Sequence, residues 1–129
     1  MTARGQCLCG AVRFSTEAAL RPVVACHCSQ CRRQTGHFSA YTACPTDQLT
    51  IEADGDALGW YQSSDDARRG FCRRCGSALF WAPAHGRHIS IAAGALESPT
   101  GLQLASHIFC ADKGDYYAIP DEPGVVKLD

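Results

Sequence analysis

Seven of the nine cysteines in this chain stand in three tight clusters: Cys7-Leu8-Cys9, Cys26-His27-Cys28-Ser29-Gln30-Cys31 and Cys72-Arg73-Arg74-Cys75. Spacings of this kind suit metal chelation. A structural zinc takes four ligands in a closed tetrahedron, whereas a working zinc keeps three protein ligands and one open position. The two pairs Cys7, Cys9, Cys72 and Cys75 make up the closed set. The cluster of Cys26, Cys28 and Cys31 is one ligand short, as an open site would be. The count therefore predicts two zinc ions per chain, one for folding and one for chemistry. A disulfide framework is the competing use of so many thiols. The odd number, the length of 129 residues and the lack of an apolar export segment in MTARGQCLCG all speak against it.

The length favours one domain over residues 1–129, and 46% hydrophobic residues are enough to build its core. No apolar run approaches the roughly 20 residues of a spanning helix. The expected location is therefore cytoplasmic, with no membrane partner. Twelve Lys and Arg against 13 Asp and Glu leave no basic excess, so nucleic acid is not an expected partner. Arginine is locally concentrated at Arg32-Arg33 and Arg73-Arg74. These guanidinium groups would offset the negative charge of nearby thiolates, or hold an anionic substrate. The residues alone leave both readings open.

Glycine, proline and Asp-Gly turns punctuate the chain, with short β-rich stretches between them. The expected strands are Ala11–Ser15, His37–Ala43, Leu49–Glu52, Leu58–Ser63, Arg68–Phe71, Ala78–Trp81, His88–Ala93, Leu104–Phe109 and Tyr116–Ile119. That pattern reads as a mainly β domain. One short helix is expected over Ser29–Thr35, ended by Gly36. Cys7 and Cys9, two apart, would face one way on an extended segment. Cys72 and Cys75 flank a tight turn, and Gly76 after them permits the positive backbone angle that lets amides approach sulfur. A metal shared by these two pairs would tie the N-terminal segment to the middle of the domain.

Cys44, Cys110, His27, His37 and His107 are the candidates to close the three-cysteine site. Cys44 and Cys110 sit in strand-like settings and are expected to pack in the core. His27, between two ligating cysteines, is expected to turn its ring away from their metal and serve a supporting role. His107 reads as a hydrogen-bonded core histidine. Trp60, Tyr61, Phe71, Phe80 and Trp81 are expected to supply core.

Taken in order, GQCLCGAVRF, CHCSQCRRQTG, FCRRCGSALF, AAGALESP and a late HIF resemble the glutathione-dependent formaldehyde-activating family, whose domain also occurs in centromere protein V. The resemblance runs from about Gly5 to Pro120. It implies a β-tent fold of short antiparallel strands built around a structural zinc. It also implies that Cys7, Cys9, Cys72 and Cys75 hold that zinc, and that Cys26, Cys28 and Cys31 hold a second, catalytic-type zinc. The family's named activity is the condensation of formaldehyde with glutathione to S-hydroxymethylglutathione, a carbon–sulfur lyase reaction run in reverse. This chain departs from the family in its tail, where ADKGDYYAIPD offers Tyr116 in place of a common tryptophan.

The implied partners are a small thiol, glutathione first, and an aldehyde, with Arg32 or Arg33 placed to bind glutathione's carboxylates. Two other readings compete. One is a non-catalytic interaction module in which both metals are structural. The other is a thiol reductase of related architecture, such as a methionine sulfoxide reductase, using Cys44 or Cys110.

Overall fold

The computed structural model describes residues 2–129, with Met1 outside them. In chain order the strands before the helix are β1 (Ala3–Gln6), β2 (Val12–Thr16) and β3 (Val23–Cys26). The helix α1 (Ser29–Thr35) follows, with the bounds its sequence predicts. Then come β4 (Ser39–Pro45), β5 (Thr50–Ala53), β6 (Leu58–Ser64), β7 (Ala67–Cys72), β8 (Ala78–Pro83) and β9 (His88–Ala92). The chain closes with β10 (Leu104–Ile108) and β11 (Val126–Lys127). The fold is mainly β, with short and mostly antiparallel strands.

A three-stranded sheet has the order β1-β2-β5, and an eight-stranded sheet the order β11-β10-β3-β4-β9-β8-β7-β6. The exceptions to the antiparallel rule are at one end of the larger sheet, where β10 runs parallel to both β3 and β11. Three strands lie where none was expected: β1, β3 and β11. A further expected strand, Tyr116–Ile119, is absent, because the chain there makes a turn and an irregular segment. Its tyrosines are used as side chains on a neighbouring site, as described below.

Strand register decides which side chains meet. Gly70, Phe80, Ile91 and Thr42 are directly paired across β7, β8, β9 and β4. The adjacent row is Arg69, Trp81, Ser90 and Ala43. Successive residues on a strand point to opposite faces, so these rows belong to opposite sides of the sheet. The Phe80 side packs with the small sheet: Phe14 of β2 meets Phe80 edge to face, with ring centroids 5.4 Å apart. Val12, Leu79, Phe80 and Ile91 are fully enclosed there, and Cys7, Cys44 and Cys72 lie in the same cluster. Burial of such side chains contributes about 1.5–3 kcal/mol each. The opposite face carries Arg69, Tyr41 and Ser39, and it lies next to α1.

The aromatic expectations are met unevenly. Phe80 is core, and Trp60 packs on it at 6.1 Å. Phe71 and Trp81 are half-buried. Tyr61 is 64% exposed, which corrects its core assignment. It lies on β6, the edge strand of the sheet.

Candidate metal centres

The sulfurs of Cys7, Cys9, Cys72 and Cys75 lie within 4.8 Å of one another. Two of the separations, Cys7 to Cys9 and Cys9 to Cys72, are 3.7 Å. Sulfurs about 2.3 Å from one ion, at the corners of a tetrahedron, stand about 3.8 Å apart, so this donor set fits a four-thiolate metal. Cys7 and Cys9 are brought together by a turn rather than by an extended segment, which corrects the expected geometry. In that turn the Gly10 amide donates to the Cys7 carbonyl at 3.2 Å, and Gly10 has φ of 84°. Cys72 to Gly76 repeats the device, with a 2.8 Å bond from the Gly76 amide to the Cys72 carbonyl and φ of 80° at Gly76. The Val12 amide points at Cys7 Sγ (3.3 Å) and the Arg74 amide at Cys72 Sγ (3.4 Å). Ser77 joins the two turns, since Leu8 N donates to its hydroxyl at 3.0 Å and Cys75 Sγ lies 3.2 Å from it.

The second group is formed by the end of β3 and the start of α1. Cys26, Cys28 and Cys31 bring their sulfurs within 4.8 Å of one another. Cys28 is the N-cap of the helix, and its Sγ accepts the Cys31 amide at 3.4 Å. Gly36 ends the helix in the left-handed conformation, donating to the Arg32 carbonyl at 2.8 Å. One tight local structure thus supplies all three sulfurs. Among the described residues no fourth cysteine, histidine or carboxylate joins this group. Cys44 is enclosed in the core instead, as expected. Cys110 is only half-buried in a short turn after β10, against its expected core position.

The thiols in each group are too close to ionise together without a cation. Hydrogen bonding from Cys26, helped by Ser39, Arg69 and Cys28, brings Cys31 down to about 5, against the opposing effect of burial. The same contact with Cys31, and then burial, raises Cys26. Hydrogen bonds from the Ser77 hydroxyl and amide bring Cys75 down to about 5. At Cys9 the Ala11 amide favours the thiolate, but burial and the three neighbouring cysteines outweigh it and push the group up to about 11. Each group holds a negative charge that a bound cation would match.

Residues 2–112 match the family described as glutathione-dependent formaldehyde-activating enzyme. The chain belongs to this family. An uncharacterised lyase of Schizosaccharomyces pombe is 26% identical over 126 residues, covering 97% of this chain and 90% of that protein. A candidate glutathione-dependent formaldehyde-activating enzyme of Podospora anserina is 35% identical over 80 residues, covering 58% of this chain and 37% of its own length. The crystal structure of a Rhodobacter sphaeroides protein superposes with a TM-score of 0.62 at 26% identity, covering 74% of this chain and 88% of that one.

In this family member the second centre has a buried imidazole cluster beside it. His27, 1% exposed, has Nδ1 2.6 Å from the Tyr117 hydroxyl and Nε2 2.9 Å from His107 Nδ1. Both His27 ring nitrogens are engaged there, the supporting role expected of it. Burial, followed by the charges of His107, His37 and Lys113, lowers the pKa of His27 from its ordinary value. His37 Nδ1 lies 2.7 Å from the Tyr116 hydroxyl. Arg32 Nε donates to the Asp112 carbonyl at 3.1 Å. The segment from Asp112 to Tyr117 is therefore tied to α1 and its flanks at three points. Arg33 is exposed.

One charged residue was missed by the sequence reading. Arg69 of β7 is 4% exposed and lies against α1. The adjacent pair Arg68-Arg69 was a usable signal, because alternation on a strand turns one of two neighbours inward. Arg68 is the outward one, stacked 4.0 Å above the Trp60 ring.

Proposed function

We propose that this protein is a zinc-dependent enzyme of the carbon–sulfur lyase type that forms or cleaves a thiol–aldehyde adduct, with glutathione and formaldehyde as the first pair. The observation that carries the reading is the convergence of three sulfurs at the end of β3 and the start of α1, with no fourth donor among the described residues. Family membership and a lyase among the relatives support it. In this reading Cys7, Cys9, Cys72 and Cys75 hold a structural zinc, and Cys26, Cys28 and Cys31 hold the second. All-sulfur donor sets favour zinc among common divalent ions. Bound there, zinc would supply a Lewis acid and a means of keeping a thiol ionised near neutral pH.

The chain's own groups supply the rest. In the net reaction a carbon–sulfur bond forms, and the proton of the thiol ends on the former carbonyl oxygen. No oxidant or reductant is needed. In this reading Arg33, exposed on α1, and the guanidinium nitrogens of Arg32 not used on Asp112 would hold substrate carboxylates. Tyr116, 62% exposed, is hydrogen-bonded to His37. His27 and His107, both buried, with the half-buried Tyr117 keep the loop between Cys26 and Cys28 in place. The reaction, its substrates and a cytoplasmic setting without nucleic-acid or membrane partners belong to this proposal. For the membrane, the structure adds that no helix is long and apolar enough to cross one.

The uncatalysed reaction is itself appreciable, so the test is a rate. NMR exchange spectroscopy at equilibrium, with protein at full zinc loading, should show faster exchange between glutathione and its hydroxymethyl adduct. Cys28→Ser should abolish the acceleration. If the wild-type protein neither accelerates exchange nor binds glutathione, the reading fails for this pair of substrates. A wider thiol screen that also finds no binding would leave a non-catalytic zinc module.

A further inference from the structure

The interior of the larger sheet contains a cation with no carboxylate partner. Arginine is almost never enclosed unless it is paired. The side-chain ion pairs among the described residues are Arg13–Asp54 and Lys127–Asp121, and neither involves Arg69. Instead Arg69 faces α1. One terminal nitrogen donates to Gln34 Oε1 at 3.0 Å, and the other lies 3.4 Å from Gln30 Oε1. The same two nitrogens lie 3.6 and 3.7 Å from Cys31 Sγ. The two glutamines are one helical turn apart, so the fork spans the helix face on which Cys31 sits. They are neutral. The sulfur is the group in this set that can carry the opposing charge, and a metal-ligating cysteine is a thiolate.

The surroundings were built for a polar group. Ser39 Oγ, Tyr41 Oη and Arg69 Nε, on the same sheet face, are buried; Arg69 Nε has no partner, and Ser39 faces Cys31 and Tyr41 without a well-formed hydrogen bond. Buried polar atoms so poorly paired on one wall are costly unless they shape something of use. Arg69 is also three residues from Cys72 on the same strand. One strand thus delivers a ligand of the first group and the support of the second.

We propose that Arg69 is a positioning residue for the three-cysteine centre: its guanidinium fork fixes Cys31, and the face of α1 that carries it, in the arrangement that takes a metal ion. This rests on reading Cys26, Cys28 and Cys31 as a metal centre. Arg69 touches that centre through one ligand and through the helix. Its absence would loosen one sulfur of three while leaving the four-cysteine group intact.

The test is a Co²⁺ titration of the full chain, followed by thiolate-to-cobalt absorption, with affinities taken from chelator competition. Arg69→Met should bind the first equivalent as the wild type does and the second about 10–100-fold more weakly, the usual scale for losing a group that orients a ligand. Arg69→Lys keeps the charge but cannot reach Cys31, Gln30 and Gln34 together, and should fall between the two. Gln34→Ala leaves Arg69 in place and removes its shortest contact, so it should show a smaller loss at the same equivalent. It also serves if Arg69→Met does not fold. Wild-type affinity for the second equivalent in Arg69→Met would overturn the proposal. So would equal weakening of both equivalents, full recovery in Arg69→Lys, or an unfolded Arg69→Met beside an unaffected Gln34→Ala. A wild-type chain that takes only one equivalent would instead overturn the metal-centre reading on which the proposal rests.

Discussion

The two cysteine groups are built from the same side chain in opposite surroundings. The four-cysteine group joins segments more than sixty residues apart, Cys9 to Cys72, and two of its members are part of the hydrophobic core. The three-cysteine group is local, closed by one strand end and one helical turn, and it lies on the other face of the sheet among Arg69, Ser39 and Tyr41. The first ties distant parts of the chain together, so a metal there is coupled to folding. The second is already shaped by α1, by Arg69 and by the His27–Tyr117–His107 group. A metal there has less folding to do. A closed set anchored in the core through Cys7 and Cys72 suits structure, and a set one donor short on a polar face suits exchange of ligands.

The strongest way to break this contrast is at the first group. Cys75→Ser should cost most of the fold, because structural zinc sites carry on the order of 10 kcal/mol or more of apparent binding energy. Circular dichroism should show the β spectrum and the cooperative melt lost. A native melt would mean that the core holds without that metal.

Cys28→Ser comes next. It should lower the bound zinc from two equivalents to one, measured by elemental analysis, while shifting the thermal midpoint by only a few degrees, about 1 kcal/mol. If it unfolded the protein as Cys75→Ser does, the two groups would not differ in kind.

Tyr117→Phe sharpens the account of the second group. It removes the hydroxyl 2.6 Å from His27 Nδ1 and should cost about 1 kcal/mol, the usual value of a hydrogen bond, in urea denaturation. A neutral result would show that the Asp112–Tyr117 segment does not brace the loop between Cys26 and Cys28.

The smallest effect is expected at Arg33→Ala. Stability should stay within about 0.5 kcal/mol, since the side chain is exposed. Glutathione affinity should fall about two- to fivefold by calorimetry, the worth of one exposed ion pair. Unchanged affinity would remove Arg33 from the binding surface.

Local signals were legible in the sequence. The spacing of the cysteines gave the two-three-two grouping, because chelating sulfurs must be neighbours in space and short loops make them so. The alternation in HISIA and the run ending in Gly36 gave β9 and α1, because period and capping are properties of a few adjacent residues. The strand β3 was missed: Val23–Cys26 is a short apolar run without alternation, and it earns its place by pairing on both sides, with β4 and β10. Tyr116 and Tyr117 misled in the other direction, since aromatic residues favour strands and here they reach toward histidines instead.

The sequence by itself determined which thiols could act together within each cluster, and it contained the motifs of the family. The pairing of the Cys7 and Cys72 clusters was legible in the same cysteine count, and the structure brings their four sulfurs together. Only the tertiary structure decided that Arg69, rather than an arginine of either obvious pair, lies against Cys31. That placement depends on strand register. A shift of one residue would turn Arg69 to the opposite face and Gly70 toward α1. That register is set by the packing of Phe80 and Ile91 against the small sheet, far along the chain from Cys31.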